Sequence, residues 1–198
     1  IMTSILKADT IQDTDGNNII NESGNTITIG ASGDTTNIVG TLQNNGAAVG
    51  GTNTPAFQAY LSATQNISGS TWTKVNFNTE IYDTDSDYDN STNYRFTPTT
   101  AGKYFCYYHV DSSWTGSTGG YDIRSKFQKN GGNITGYEDS QFIDFGDGAG
   151  LNLILTSTQS AVIDFDGSSD YLEVYHRSTA STPFVGGASY FGAYKIIE

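Results

Sequence analysis

The stretch Phe96–Val110, FTPTTAGKYFCYYHV, alternates in its second half as a strand does, with Tyr104, Cys106, Tyr108 and Val110 on one side of an extended chain. The other side carries Phe105, Tyr107 and His109. A strand in a sheet with one wet face has one apolar row and one polar row. Two apolar rows on one strand need two covers. The domain interior serves for one, and loops of the same chain or a neighbouring copy for the other.

Outward from this strand the pattern stays β. The spacing predicts strands at 57–61, 71–77, 94–97, 103–111, 121–129, 133–137, 153–165, 170–177 and 188–197, separated by turns such as TPTTAG, KNGG and DFDGSSD. Helical periodicity is nowhere sustained. Some 145 residues of short strands make a sandwich, and at that size about two-thirds of the unfolded chain's surface can be buried.

All 25 aromatic residues and all three prolines lie at or beyond Pro55, so the chain divides near residue 54. Residues 1–53 hold one lysine and five acids, a charge of -4. Their apolar clusters (Ile5-Leu6, Ile11, Ile19-Ile20, Ile27/Ile29, Ile38-Val39 and Leu42) alternate with the turn signals DTDGNN, ESGN, ASGD and NNG. This reads as short strands at roughly nine-residue spacing. Such a segment cannot bury enough apolar surface alone to offset its ordering entropy. Several copies wrapped together, with Ile27 and Ile29 turned to a shared axis, would supply the missing core. The expectation is an intertwined β-rich stalk over 1–53 and a globular head over 54–198.

Charge and composition narrow the partners. The net charge is -12, nine Lys+Arg against 21 Asp+Glu, with no basic run. Nucleic acid and anionic membranes both need a cationic footprint, so neither is expected as a partner. No segment approaches the ~18 continuous apolar residues of a membrane span, and IMTSILKADTIQDTDGNN lacks the pattern of a secretory leader. Cys106 is the one cysteine and reads as a small buried hydrophobe.

The head resembles a known family. Phe96, five residues, then Gly102-x-Tyr104-x-Cys106-x-Tyr108 is similar to the signature of the globular head of complement component one, subcomponent q. Its upstream half is matched by Phe77, five residues, Asp83, four residues and Tyr88. Cys106 stands where the family usually has Phe, and the gap from Tyr88 to Phe96 is one residue longer. PAFQAYLS, FQKNGG, SSDYLEVY and SYFGAYKI follow in the family's order. The resemblance implies an all-β, ten-stranded jelly-roll sandwich of the complement/tumour-necrosis type, assembled as a homotrimer with both termini at the base. Phe105 and Tyr107 then pack toward neighbouring subunits.

Heads of this family in animals usually follow a collagen-like stalk, which is absent here. A head on an Asn/Thr/Gly-rich β stalk resembles a virion appendage of a tailed bacteriophage: a tail fibre, spike or capsid fibre. That likeness implies a non-enzymatic structural protein of the virion, joined to other virion proteins through its stalk. A secreted or cell-surface binding module and a purely structural trimerisation cap are the alternatives. If both head termini lie at the base, the loops 112–120, 138–151 and 178–187 are distal and expose Trp114 and Phe184, with Asp147 beside them. Rigid aromatics among small polar residues suit binding of a host-surface glycan or protein receptor.

Chemistry offers less. Asp83, Asp85 and Asp87 alternate in YDTDSDYDN, and clustered carboxylates attract Ca²⁺. The run fails as an EF-hand, with Tyr88 where Gly is needed and Tyr94 where Glu is needed, so a solvated loop is the simpler expectation and no cofactor is required. His109 and His176 fall in strands, no G-x-S-x-G elbow occurs, and no catalytic residue is expected.

Overall fold

The computed structural model describes residues 10–12, 14–16, 18–23, 26–30, 32–40, 42–44, 47–48, 53–114, 120–144, 154–180 and 182–196. It divides into two compact units, Ile1–Gly50 and Gly51–Glu198, each described by itself.

In the first unit β1 (Thr10–Gln12), β2 (Asn18–Ser23) and β3 (Thr26–Ile29) form an antiparallel sheet, and β4 (Gln43–Asn44) pairs with β5 (Ala47–Ala48). Four isoleucines of this sheet find no interior: Ile11 and Ile20 are exposed, and Ile27 is 68% and Ile29 54% exposed. Ile38, Val39 and Leu42 were expected in strands but are irregular, with Val39 94% exposed. Without tertiary neighbours, apolar character alone does not hold a chain extended. Ile5 and Leu6 lie outside the described residues.

The second unit is an all-β, jelly-roll-like sandwich of two antiparallel sheets. Its strands are β6 (Ala56–Tyr60), β7 (Gln65–Asn66), β8 (Thr73–Lys74), β9 (Thr79–Asp83), β10 (Tyr88–Asp89), β11 (Arg95–Phe96), β12 (Gly102–Trp114), β13 (Gly120–Lys129), β14 (Gly132–Asp144), β15 (Ile154–Phe165), β16 (Leu172–Ser178), β17 (Pro183–Val185) and β18 (Tyr190–Lys195). One sheet runs β7-β17-β12-β18-β6-β9, with β15 on the other edge of β12; the second runs β10-β11-β16-β13-β14, with β8 beside β16. The chain crosses between sheets after β7, β8, β9, β11, β12, β14, β15 and β16, which is what wraps a sandwich into a roll.

The inward row of the opening stretch behaves as its alternation predicts: Tyr104, Cys106, Tyr108 and Val110 are all buried. They meet Phe57, which stacks on Tyr88 (ring centroids 4.6 Å) and Phe96 (4.5 Å) and meets Phe191 edge-on (4.9 Å). Burial pushes the Cys106 thiol far above its ordinary range, as befits a packing residue. The KNGG turn is set by Asn130 (φ 54°) and Gly131 (φ 75°), the pair of positive φ values that a two-residue hairpin between Lys129 and Gly132 requires.

Register shows which residues share an end. Gly102 pairs with Phe165 and Lys129 with Gly132, while Lys195 donates its N–H to Pro55 O, so both ends of the head meet the turns 98–101 and 165–169. Trp114, Pro183, Asp144 and Gly120 meet at the opposite end.

Candidate functional site

The outward face of the β12 sheet is the most unusual surface of the head. Register places Val162, Phe105, Tyr194 and Ala56 in one cross-strand row. Ser160, Tyr107, Gly192, Gln58 and Tyr82 form the next, and Thr158, His109, Tyr190 and Tyr60 the third. Aromatic rings therefore run across four strands. Phe105 lies 5.4 Å from Tyr194, Tyr107 lies 6.3 Å from Tyr190, and His109 stacks on Tyr190 at 4.9 Å with 3° between planes. Phe105, Tyr107 and His109 are half-buried within this carpet, and Val162 and Tyr82 at its margins are exposed.

Gly192 makes the carpet possible. A Cβ built there would lie 2.5 Å from Tyr107 Oη and 3.0 Å from Phe57 O, so the phenol lies flat across a strand that has no side chain at that position. Burial and a hydrogen bond with Tyr82 push the Tyr107 hydroxyl well above its usual value, so it stays protonated. His109 Nε2 sits 3.0 Å from Asp111 Oδ1, which also accepts the Thr156 hydroxyl at 2.8 Å. An open trough of about 380 Å³ runs beside Tyr107, Tyr190, Thr158 and Ser160. Tyr82, Tyr190 and Tyr194 were not singled out from sequence as part of this surface, although Tyr190-x-x-x-Tyr194 already carries the period of two.

The residues expected at the distal tip are arranged otherwise. Trp114 is not an exposed loop residue: strand β12 continues through it, and it is 1% exposed, packed with Ile123, Ala180 and Tyr121. Ser112 and Trp114 simply prolong the inward row of Val110. Phe184 is not in a loop either. It is the centre of β17, opposite Ser113 and Asn66, and lies half-buried on the same outward face as Phe105. Asp147 lies outside the described residues.

The acidic run does not converge. The Asp83 carboxylate accepts the main-chain N–H groups of Asp87 (3.2 Å) and Tyr88 (2.8 Å), Asp85 accepts the Thr84 hydroxyl (2.6 Å), and buried Asp87 accepts Thr99 N–H (3.2 Å). Asp83 Oδ1 also accepts the Asp85 N–H (3.4 Å), so one carboxylate caps the turn that carries the other two, and among the described residues no three His, Cys, Asp or Glu side chains come together as a metal site. Removing the Asp83 carboxylate with Asp83→Ala strands three main-chain donors, those of Asp85, Asp87 and buried Tyr88, and is expected to cost about 1–3 kcal/mol in denaturant titration. Asp85→Ala is the near-neutral control. A Ca²⁺-dependent rise in the wild-type midpoint, lost in Asp83→Ala, would show a metal role.

His176 is fully buried. Its Nδ1 lies 2.8 Å from Ser125 Oγ and its Nε2 2.9 Å from Ser112 Oγ, a His–Ser constellation sealed from any substrate.

No protein-family model matches the sequence, and no curated protein matches it. Among solved structures, the chain is similar to one described as Eiger TNF from S. frugiperda, with a TM-score of 0.50 and 13% identity over 72% of this chain and 92% of that one. At that identity the likeness speaks for the fold, a tumour-necrosis-type jelly roll.

Proposed function

We propose that this chain is one subunit of a homotrimeric virion appendage of a tailed bacteriophage, a fibre or spike without enzymatic activity. Its first unit joins other virion proteins, and its head meets a host-surface glycan or protein. The aromatic carpet around Phe105 and Tyr107 carries the reading. A single chain leaves it partly wet, and a surface this apolar is normally an interface. The exposed Ile27 and Ile29 make the same demand of the first unit. The acidic net charge of -12 fits an extracellular particle that avoids nucleic acid.

Native mass is the test. The full chain and a chain lacking residues 1–53 are both expected to run as trimers. A trimer only in the full chain would make the first unit the oligomeriser, and a monomer in both would overturn the reading.

One observation favours a second reading, in which the head is purely a trimerisation cap. Trp114, the larger ring expected at the tip, points into the core instead. Excess purified chain is expected to block adsorption of the phage to its host if the head binds a receptor, and to leave adsorption unchanged if it is a cap.

A further inference from the structure

The interior of the head is not one continuous apolar core. The large cluster around Phe57, Phe96 and Phe191 is separate from a small one made of Trp114, Ile123 and Ala180, with Tyr121, Ile143 and Leu155 packed on it. The boundary is polar: Ser112, Ser125, His176 and Ser178 are all buried, none of them more than 0% exposed. His176 stands at its centre and ties three strands together. It belongs to β16, takes Ser125 from the neighbouring β13, and reaches Ser112 on β12 in the opposite sheet.

We propose that His176 is an acid-sensitive latch between the two sheets, and that protonating it releases the strand ends bearing Trp114, Tyr121 and Ile143 while the Phe57 core stays folded. Neutral imidazole donates through one nitrogen and accepts through the other, so each serine hydroxyl has a role. Imidazolium donates through both and accepts nothing, and it brings a full charge into a buried site whose two hydrogen-bond partners are neutral hydroxyls; the carboxylate in the same cross-strand row, Asp139 on β14, stands one strand further away, across Ser125.

The surroundings bear this out. Asp111 on β12, Arg124 and Lys126 on β13, Lys74 on β8, and Tyr175 and Arg177 on β16 sit at alternate positions to the inward Ser112, Ser125, Thr73 and His176, so they serve the opposite faces. Tyr108 faces inward on β12, but burial raises its phenol and keeps it neutral; the Asp139 and Glu138 charges of β14 act on that phenol. Burial lowers the His176 pKa from 6.5 to about 4, and the Arg124 main chain offsets only part of that.

The sign follows from which state holds the proton. Above pH about 6.5 the ring is neutral in closed and open forms alike, and the latch is at full strength. Below that, the open form takes up a proton that the closed form refuses, so each pH step lowers the closed-to-open ratio about tenfold. The loss levels off near pH 4, at roughly 300-fold in total. The small cluster opens first because it has the least apolar contact to lose.

The test uses the full chain with Trp72→Phe, which leaves Trp114 as the single tryptophan. Its emission is expected to shift reversibly to the red between pH 6.5 and 4, before the far-ultraviolet strand signal is lost. His176→Gln keeps an amide for the hydroxyls but takes no proton, and is expected to abolish the shift in that range. An unchanged emission down to pH 4, or the same shift in His176→Gln, overturns the proposal. If the Gln variant fails to fold, ring NMR of the unsubstituted chain decides. Protonation of His176 coinciding with new Trp114 signals supports the latch, and protonation with Trp114 signals unmoved overturns it.

Discussion

Phe57→Ala is expected to lower the stability of the head by about 3–5 kcal/mol, the usual cost of emptying a fully buried phenylalanine site. The ring is 0% exposed and touches three other rings, Tyr88, Phe96 and Phe191, which come from both sheets. The site cannot collapse to fill the hole, because its walls are paired strands whose spacing is held by main-chain hydrogen bonds. Domains of this kind carry about 5–15 kcal/mol in all, so the variant sits near the edge of folding. Denaturant titration followed by far-ultraviolet circular dichroism measures the loss. Phe57→Leu, which keeps much of the volume, is expected to cost markedly less. Equal costs for the two variants would mean that ring stacking, not volume, dominates the site.

The second large effect is on assembly. Phe105→Asp combined with Tyr107→Asp is expected to turn the proposed trimer into a folded monomer at micromolar concentrations. Both side chains leave the outward face of β12, so the interior packing of Tyr104, Cys106 and Tyr108 is untouched. If three copies bury this surface, each would have to desolvate two carboxylates with no cation opposite, at several kcal/mol apiece. Sedimentation velocity gives the mass, and circular dichroism confirms that strands persist. A trimer that survives both substitutions would place the interface elsewhere on the head. Gly192→Ala is a milder probe of the same surface, since its methyl group would lift the Tyr107 ring.

Much of the architecture is legible in residue order. Alternation within Gly102–Trp114 and Ile154–Phe165 marks two long strands because each has one face in the interior, and burial imposes a period of two on the side chains. The Asn130-Gly131 turn is legible for the same kind of reason: few residues accept positive φ. Strand β9 at Thr79–Asp83 is not legible in the sequence, because it is an edge strand with Ile81 and Tyr82 exposed and a bulge opposite Gln58, so no clean period survives. The composition of SSWTGSTGG is that of a loop, and nothing local marks Trp114 as a strand residue. What makes it a strand end is its pairing with Pro183, some seventy residues away.

The candidate site divides along the same line. From sequence alone came the all-β class, the shift in composition near residue 54, the two aromatic rows of one strand, and the buried cysteine. These follow from local rules of backbone geometry and burial, which act within a few residues. Only the tertiary structure brought Phe105 and Tyr107 beside Tyr190, Tyr194 and Tyr82. It alone turned Trp114 inward and Phe184 onto the outward sheet face, occupied the acidic carboxylates with main-chain and hydroxyl donors, and set His176 between serines of two sheets. Those arrangements depend on cross-strand register and on which strands face each other, and both are chosen by the whole chain when it closes its core.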